Sequence, residues 1–271
     1  MDRQIPIPIQ AMNQNADHKD QTECVPEVVI LRIPVYARVL NRLKSSGKTV
    51  ISSNGLGKLL QITPAQIRKD LSYFGKFGKQ GRGYNIDYLL SALNEILGID
   101  QEWKACLVGV GGLGRAIINY PGFSPHGFEI VACFDIDKSL INKSIAGLSI
   151  KPVDQIESVL TSHNIKIGIV SVPADQTQSV VDILVNAGVK GILNYAPISP
   201  VVGSEVIVRT IDPITSLQSM TYYLKDCYLA ANTVTTSSIT SKNPPATSIV
   251  DSSDPFRTVM VPAFTAVSNE V

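Results

Sequence analysis

The sequence predicts an α/β protein in which a helical N-terminal domain precedes a doubly wound parallel sheet. The 271 residues suffice for about two domains, since one domain holds roughly 100–200 residues. Apolar residues recur at helical spacing up to Gly98, whereas short apolar runs alternate with helices from Lys104 onward. Hydrophobic residues make up 44% and charged residues 17%, which excludes a wholly disordered or collagen-like chain.

The first helix follows a polar segment, 1–26, that lacks periodicity and predicts a loose extension. Pro34 suits the first turn of this helix, where no backbone N–H is needed, and Gly47 ends it. The apolar residues between them recur every three or four positions: Val35, Val39, Leu40 and Leu43.

Two further short helices predict a helix-turn-helix. Ser52 and Ser53 cap the first, which runs through Leu60. Thr63 opens the second with a capping box and a proline at the first helical position. We expect this recognition helix to span Pro64 to about Tyr73.

Glycines and cations alternate directly after the recognition helix. Phe74–Tyr84 contains four glycines together with Lys76, Lys79 and Arg82. Glycine permits the positive φ angles of a tight hairpin, so the pattern predicts a wing. A flexible linker is the alternative, which the three aromatic residues of the segment disfavour. An amphipathic helix over Ile86–Gly98 then leads into the second domain.

Charge is unevenly distributed along the chain. Val28–Ile86 holds eleven Lys or Arg residues and one acid, so it carries +10, whereas the rest carries −9 and the whole chain +1. So many positive charges in one segment repel one another unless a negatively charged partner neutralises them. We therefore expect a polyanion to bind the first domain, rather than a merely solvated face.

The second domain shows the alternation of strands and helices that is typical of a parallel sheet. We expect strands over Ala105–Gly109, Phe128–Phe134, Ile165–Val172, Gly191–Leu193 and Glu205–Arg209. We expect helices over Gly112–Asn119, Asp175–Ala187 and Ile214–Lys225.

A Gly-x-Gly-x-x-Gly pattern joins the first of these strands to its helix. Gly109 allows the tight turn, Gly111 lets the backbone approach a pyrophosphate, and Gly114 permits close packing of helix on strand. The helix N-terminus adds N–H donors for the phosphates. The pattern therefore predicts a Rossmann-type dinucleotide site formed by Gly109, Val110, Gly111, Gly112, Leu113 and Gly114.

An acid ends the second strand at the spacing this site requires. Asp135 lies 21 residues after Gly114, close to the roughly 20 residues expected for the acid that binds a ribose 2′-hydroxyl. A carboxylate there repels a 2′-phosphate, so we expect NAD(H) rather than NADP(H).

Loops at the carboxyl ends of other strands are candidates for the remaining walls of the site. They include Val172, Pro173, Asn194 and Ala196. For Asn194, a role in capping the turn is an equal alternative. Tyr120 closes the first βα unit near the nicotinamide or, equally, lies in the core.

A cationic helix-turn-helix joined to a dinucleotide site indicates a DNA-binding protein that also binds NAD(H), and two other functions compete with this interpretation. An NAD-dependent oxidoreductase needs a substrate domain and a proton donor. His18 lies in the extension, and His126 and His163 lie at strand starts, the end of a sheet opposite the ligand crevice. A DNA-binding module with a vestigial nucleotide fold is the other alternative, which the intact glycines and Asp135 disfavour.

Five motifs together resemble the Rex redox-sensing transcriptional repressors, over roughly Val28–Asp226. The motifs are Arg68–Gly75, Gly81–Tyr84, Gly109–Gly114, Val172–Ala174 and Gly191–Pro197. The resemblance implies a homodimer whose subunits have a winged-helix domain, a Rossmann domain and a C-terminal helix swapped onto the partner. It implies binding to palindromic operator DNA when NAD⁺ dominates, release by NADH, and no enzymatic activity.

The resemblance also implies residue roles. It implies DNA contacts from Arg68, Lys69, Ser72, Tyr73, Lys58, Lys76, Lys79 and Arg82. It implies a polar network that links the nicotinamide end, the DNA-binding domain and the partner subunit through Arg38, Tyr120 and Asp212. Two features depart from the family pattern: the glycines Gly55 and Gly57 in the second helix, which favour a looser helix, and Pro213 after Asp212.

The resulting organisation has five segments. They are an extension (1–26), a winged-helix DNA-binding domain (27–98), a Rossmann NAD(H)-binding domain (99–212), a dimerisation helix (213–227) and a low-complexity, disordered tail (228–271). No apolar run reaches the roughly 20 residues of a membrane-spanning helix. The four cysteines are scattered and predict reduced thiols in a cytoplasmic protein with no metal site.

Overall fold

A computed structural model describes residues 25–79 and 81–237. These divide into two units, an N-terminal unit over 25–100 and a C-terminal unit over 101–237. Most of the predicted extension, 1–24, and most of the predicted tail, 238–271, lie outside the described residues.

The N-terminal unit is a winged helix-turn-helix. Its elements are α1 (Glu27–Ser45), β1 (Val50–Ile51), α2 (Ser53–Leu60), α3 (Pro64–Ser72), β2 (Gly78–Lys79), β3 (Gly83–Asn85) and α4 (Ile86–Leu97). The three strands form one antiparallel sheet in the order β1-β3-β2. The hairpin β2–β3 is the predicted wing, and Gly81 and Gly83 adopt the positive φ angles of +80° and +72° that its turn needs.

The first helix begins earlier than the sequence indicated. Helix α1 starts at Glu27, so Pro34 lies in its interior and the prediction of a first-turn proline is wrong. Val29 and Ile33 are buried in the core of this unit and continue the apolar spacing upstream of the proline. The gain from burying this longer face outweighs the cost of an interior proline, which is about 3 kcal/mol.

Side-chain caps and one close contact fix the helix-turn-helix. The hydroxyl of Ser52 accepts the N–H of Gly55 (3.0 Å) and that of Thr63 accepts the N–H of Gln66 (3.2 Å), as the sequence predicted. Gly57 is buried, and a Cβ there would lie 2.5 Å from the carbonyl oxygen of Ile62. Glycine at position 57 therefore allows α2 to approach the turn before α3.

The C-terminal unit is the predicted doubly wound parallel sheet. Its elements are β4 (Trp103–Val108), α5 (Gly112–Ile118), β5 (Phe128–Asp135), β6 (Ser144–Ile145), β7 (Leu148–Pro152), α6 (Ile156–His163), β8 (Ile167–Val170), α7 (Ala174–Asn186), β9 (Gly191–Asn194), β10 (Ile207–Thr210) and α8 (Pro213–Ser237), with 3₁₀ turns at Ser124–His126 and Val153–Gln155. The strand order is β10-β9-β8-β4-β5-β7-β6. Six strands run parallel, and β6 pairs antiparallel with β7 at one edge. The order reverses between β4 and β8, so the ligand crevice of such a sheet lies at their carboxyl ends.

Three elements of this unit are absent from the sequence prediction. Strands β6 and β7 are short, with two and five residues, and they form a hairpin across Ala146 and Gly147. Helix α6 is only eight residues long, although Ile156, Val159 and Leu160 give it an apolar face.

The two faces of the sheet are covered unequally. Helices α6 and α7 pack on one face over a core that includes Cys106, Phe134 and Val181. Helix α5 packs on the other face, over the core around Leu107 and Cys133. On this second face the β10 side remains open, and Ile207 and Ile211 are 45% and 41% exposed.

The last helix is longer than predicted. Helix α8 runs over Pro213–Ser237, so the expectation of a disordered tail from residue 228 is wrong for 228–237. Its apolar side chains are 54 to 72% exposed at Ile214, Leu217, Met220, Tyr222, Tyr223 and Leu224. None of the helices in the described part of the chain is long and apolar enough to cross a membrane.

Candidate nucleic-acid and dinucleotide sites

Helix α3 separates a buried face from an exposed one. Ile67, Asp70 and Leu71 point into the core. The exposed face consists of residues spaced three or four positions apart: Ala65, Arg68, Lys69 and Ser72. Arg68 is held by a hydrogen bond from its guanidinium to the Ser53 hydroxyl (2.9 Å). The structure thus presents two cations and a hydroxyl side by side, whereas Tyr73 is half-buried against the core.

Further cations lie on neighbouring elements of the N-terminal unit. Lys58 is exposed on α2, and Lys79 lies in β2. Lys76 and Arg82 are exposed at the wing and line an open cleft of about 560 Å³ together with the ring of Tyr88. These cations fit a polyanion such as the phosphate backbone of DNA.

A buried acid ties the recognition helix to α1, and the sequence analysis missed it. Asp70 is fully buried and accepts two hydrogen bonds from the Arg32 guanidinium (both 2.6 Å). It also accepts bonds from the Tyr36 hydroxyl (2.5 Å) and the Gln66 amide (2.7 Å). Burial would raise the pKa of Asp70, but these hydrogen bonds outweigh it and hold the pKa below its usual value. Conversely, burial and the bond to Asp70 raise the pKa of Tyr36.

The glycine loop has the geometry that the motif predicted. Gly109 adopts φ +93°, and a Cβ there would lie 2.5 Å from the carbonyl oxygen of Ser171. A Cβ on Gly114 would lie 1.9 Å from the carbonyl oxygen of Gly109. Gly111 and Gly112 are exposed, and no atom lies within 4 Å of a Cβ built on either. Gly109 and Gly114 therefore allow the loop to pack closely on its neighbours, whereas Gly111 and Gly112 leave open space at the N-terminus of α5.

Asp135 lies beside this loop at the end of β5. One carboxylate oxygen accepts the N–H of Val110 (2.6 Å) and the other accepts the N–H of Asp137 (2.9 Å). The Arg115 guanidinium donates to the carbonyl of Val110 (3.1 Å). Asp135 and Arg115 thus fix Val110, while the exposed side chain of Leu113 lies within the first turn of α5.

The residues predicted as further walls follow strands β8 and β9. Ser171 follows β8, and its hydroxyl donates to the carbonyl of Gly109 (2.7 Å), which brings Val172 and Pro173 next to the glycine loop. Asn194 is fully buried at the end of β9. Its amide nitrogen donates to the carbonyls of Ala196 (3.0 Å) and Ile198 (2.7 Å), and its oxygen accepts the Ala196 N–H. The structure therefore favours the turn-capping alternative for Asn194.

The three residues of the expected polar network have these surroundings. Tyr120 is 61% exposed, so it is not a core residue, and its ring meets Phe123 edge to face at 5.5 Å. Asp212 caps α8: it accepts the N–H of Ile214 (2.9 Å) and the hydroxyl of Thr215 (2.6 Å). The Thr215 bond in particular lowers the pKa of Asp212. Arg38 is exposed on α1, in the other unit.

The described thiols are buried in the sheet, and the described histidines precede strands. Cys106 and Cys133 are free and buried, and burial raises their pKa values to about 12 and about 11. His126 and His163 precede β5 and β8 and are exposed, whereas His18 lies outside the described residues. The described residues contain no cluster of His, Cys, Asp and Glu that could hold a metal ion.

Family models match both units of the chain. The model described as "Putative DNA-binding protein N-terminus" matches residues 24–72. The model described as "CoA binding domain" matches residues 100–198, from just before β4 to the turn after β9.

Close relatives are named redox-sensing transcriptional repressor Rex. The protein from Chloroflexus aurantiacus is 48% identical over 205 residues, which cover 76% of this chain and 97% of the relative. That from Brevibacillus brevis is 43% identical over 202 residues, covering 74% and 98% of the two chains. The Rex 1 protein from Thermotoga maritima is 43% identical over 201 residues, covering 74% and 96%.

Solved structures of a Rex-family repressor, RSP, are similar to this chain. RSP in complex with β-NAD⁺ and operator DNA aligns with a TM-score of 0.72 at 36% identity, over 79% of this chain and 99% of RSP. RSP in complex with β-NADH aligns with a TM-score of 0.70 at 35% identity, over 77% and 98%.

Proposed function

Because the chain belongs to the Rex family of redox-sensing transcriptional repressors, we propose that it represses transcription in response to the NADH/NAD⁺ ratio. It binds a palindromic operator as a homodimer and leaves the DNA when NADH binds. The observation that carries this proposal is the union, in one chain, of a cationic recognition helix and an intact dinucleotide loop. RSP, the related repressor, has been captured with operator DNA and NAD⁺ and with NADH.

The N-terminal unit supplies two kinds of DNA contact. Arg68 and Lys69 lie on the exposed face of α3 and reach base edges in the major groove, where one good bidentate contact is worth about 1–3 kcal/mol of discrimination. Ser72 lies on the same face. Lys58 and the wing cations Lys76, Lys79 and Arg82 bind phosphates, which position the protein without reading sequence. Tyr73 supports this face from its half-buried position.

The dinucleotide lies across the carboxyl ends of β4 and β8. The open space at Gly111 and Gly112 suits the pyrophosphate, whose charge faces the N–H groups at the start of α5. Asp135 lies next to Val110 and suits a ribose 2′-hydroxyl, which favours NAD(H) over NADP(H). Val172, Pro173 and the turn of Asn194 and Ala196 form the other walls.

Dimerisation is supported by two unpartnered apolar surfaces. Helix α8 exposes a stripe at Ile214, Leu217 and Leu224, and the sheet is open at Ile207 and Ile211. Exposed apolar patches of this kind mark interaction sites. We propose that α8 of each subunit covers the partner and that the two recognition helices lie about 34–36 Å apart, one turn of DNA, or a multiple of that distance.

Redox control requires that NADH bind the released dimer better than the DNA-bound one. NAD⁺ and NADH differ at the nicotinamide, so the residues that distinguish them lie at that end of the ligand. We propose that Tyr120, Asp212 and Arg38 connect this end to the DNA-binding unit. Asp212→Ala should then weaken NADH-driven release, and release with unchanged NADH dependence would refute the assignment.

The relatives are regulators rather than enzymes, and nothing favours an oxidoreductase. His126 and His163 precede the amino ends of β5 and β8, the end of the sheet opposite the crevice. Since operator DNA is the partner, we propose that the protein acts in the cytoplasm.

One binding experiment tests the function. An operator is first selected from a randomised duplex pool with the NAD⁺-loaded protein, and its anisotropy is then followed while NAD⁺ and NADH are titrated separately. We expect a palindromic consensus, tight binding with NAD⁺ and release by NADH. Equal operator affinity in both redox forms would refute the proposal.

A further inference from the structure

The carboxylate of Asp70 lies on the side of α3 opposite the recognition face. It receives both prongs of the Arg32 guanidinium and the hydroxyl of Tyr36. Arg32 and Tyr36 are four residues apart and therefore lie on the same face of α1. Two adjacent turns of one helix thus hold a single acid of the other, an arrangement we name the Asp70 clamp (Arg32, Tyr36 and Asp70).

Overall stability is a poor explanation for such a clamp. A buried ion pair contributes little more than well-packed apolar residues of the same volume, because desolvation offsets its attraction. Ile67 and Leu71 already bury the inner face of α3. Apolar contacts tolerate small slides and rotations, whereas a two-pronged guanidinium–carboxylate pair fixes both direction and distance. The distinctive contribution of the clamp is therefore orientation.

Orientation is what sequence recognition requires of this helix. Arg68 and Lys69 precede Asp70 directly and extend from the same turn of α3. A rotation or slide of α3 that loosens the clamp moves both cations relative to base edges. Contacts to phosphates depend mainly on charge and tolerate such a change.

We propose that Asp70 is a positioning residue for operator recognition, through a clamp that fixes α3 on α1 so that Arg68 and Lys69 meet base edges. This inference rests on the proposed function, since it presumes an operator. The clamp should determine the affinity for operator DNA and should not be needed for non-specific binding to phosphates.

The substitution Asp70→Asn tests this proposal, because its effect on charge and its effect on the clamp change operator affinity in opposite directions. It removes one negative charge from a DNA-binding unit, so electrostatics alone would tighten binding to every duplex. The clamp predicts weaker operator binding instead. One bidentate base contact is worth about 5- to 150-fold, and a palindrome uses two subunits, so we expect operator affinity to fall at least about 25-fold. Affinity for a scrambled duplex of equal composition should stay the same or rise.

The matched control is Asp87→Asn in α4. It makes the same charge change at an exposed carboxylate that pairs with Lys44 on the surface. The full-length, NAD⁺-loaded protein is used throughout, and both duplexes are titrated at several salt concentrations. The control should keep the wild-type ratio of operator to scrambled affinity.

Two further variants separate orientation from folding. Replacing the whole clamp by apolar residues (Arg32→Met, Tyr36→Phe and Asp70→Leu) leaves no unpaired charge, and we expect it to fold while the operator preference stays lost. Leu93→Ala, in the core on α4, lowers stability but should keep the preference of the folded fraction.

The outcomes are distinguishable. Wild-type operator preference in Asp70→Asn, or in the apolar triple variant, would overturn the clamp as a positioning device. Loss of preference in Leu93→Ala, scaled to its loss of stability, would also overturn it, because stability alone would then explain the effect. If the wild-type protein itself prefers no duplex to the scrambled one, the proposed function fails instead.

Discussion

A negative charge placed at Gly111 should block the dinucleotide while leaving the fold intact. Gly111 precedes α5 with φ −71°, which any residue adopts, and it is exposed. No atom lies within 4 Å of a Cβ built there. Gly111→Glu therefore introduces a carboxylate without a steric clash, at the place where we put the pyrophosphate.

Coulomb's law gives the size of the effect. A carboxylate about 5 Å from a pyrophosphate with two negative charges costs about 0.8 kcal/mol per charge in bulk water, or roughly 1.7 kcal/mol in total. This corresponds to about 15-fold weaker binding. It is a lower bound, because the effective dielectric constant near a protein surface is closer to 20, and a lower dielectric constant strengthens the repulsion.

The assay is a titration of NADH followed by its fluorescence. Ser158→Glu is the control, because it makes the same charge change on the exposed face of α6. We expect NADH affinity to fall at least about 15-fold in Gly111→Glu and to stay unchanged in the control, with equal thermal unfolding midpoints. An NADH affinity within twofold of wild type would refute the placement of the pyrophosphate at Gly111.

Three other predictions follow from local features. Ala146 has φ +48° in the β6–β7 turn, where the left-handed conformation costs Ala about 1–2 kcal/mol but is adopted more readily by Asn, whose short polar side chain can hydrogen-bond locally. Ala146→Asn should therefore raise the unfolding midpoint by about 2–4 °C, and a lower midpoint in a thermal scan would contradict this. The pKa of Asp70 lies below its usual value, so its contribution to stability is full above about pH 4 and is lost as the pH falls further. Denaturant unfolding should show that loss as the pH falls below about 4, less steeply in Asp70→Asn; equal slopes would argue against it. Burial of Cys106 and Cys133 raises both pKa values, so peptide-level mass spectrometry should find both unmodified after iodoacetamide treatment of native protein at pH 8 and alkylated after unfolding. Labelling of either thiol in the native state would show that these strands open.

Local patterns in the sequence predicted most of the fold. The caps at Ser52 and Thr63 involve residues three apart, and the glycine loop lies within six consecutive residues. Interactions between residues so close in the sequence can be predicted without a structure. The alternation of strands and helices likewise predicted the parallel sheet, and the open space at Gly111 agrees with the motif.

The sequence prediction was wrong or incomplete where contacts between residues far apart in the sequence determine the structure. Pro34 suggested a helix start, but α1 begins at Glu27, and Val29 and Ile33 in the added turns are buried in the core of the unit. Asp70 pairs with Arg32, 38 residues away, and the hydrophobic periodicity of the sequence does not predict such a contact. Asn194 was an equal choice between ligand contact and turn, and only its partners in three dimensions favour the turn.

The Asp70 clamp also constrains how this protein can change over generations. Replacing Asp70 alone leaves the Arg32 guanidinium and the Tyr36 hydroxyl without their acceptor, and replacing Arg32 alone leaves a buried carboxylate without its counter-ion. Each single step is unfavourable, and a joint apolar replacement would preserve folding but lose the operator preference. Related repressors should therefore keep positions 32, 36 and 70 together, whereas an exposed position of α3 outside the shared Arg68–Gly75 motif, such as Ala65, can change independently.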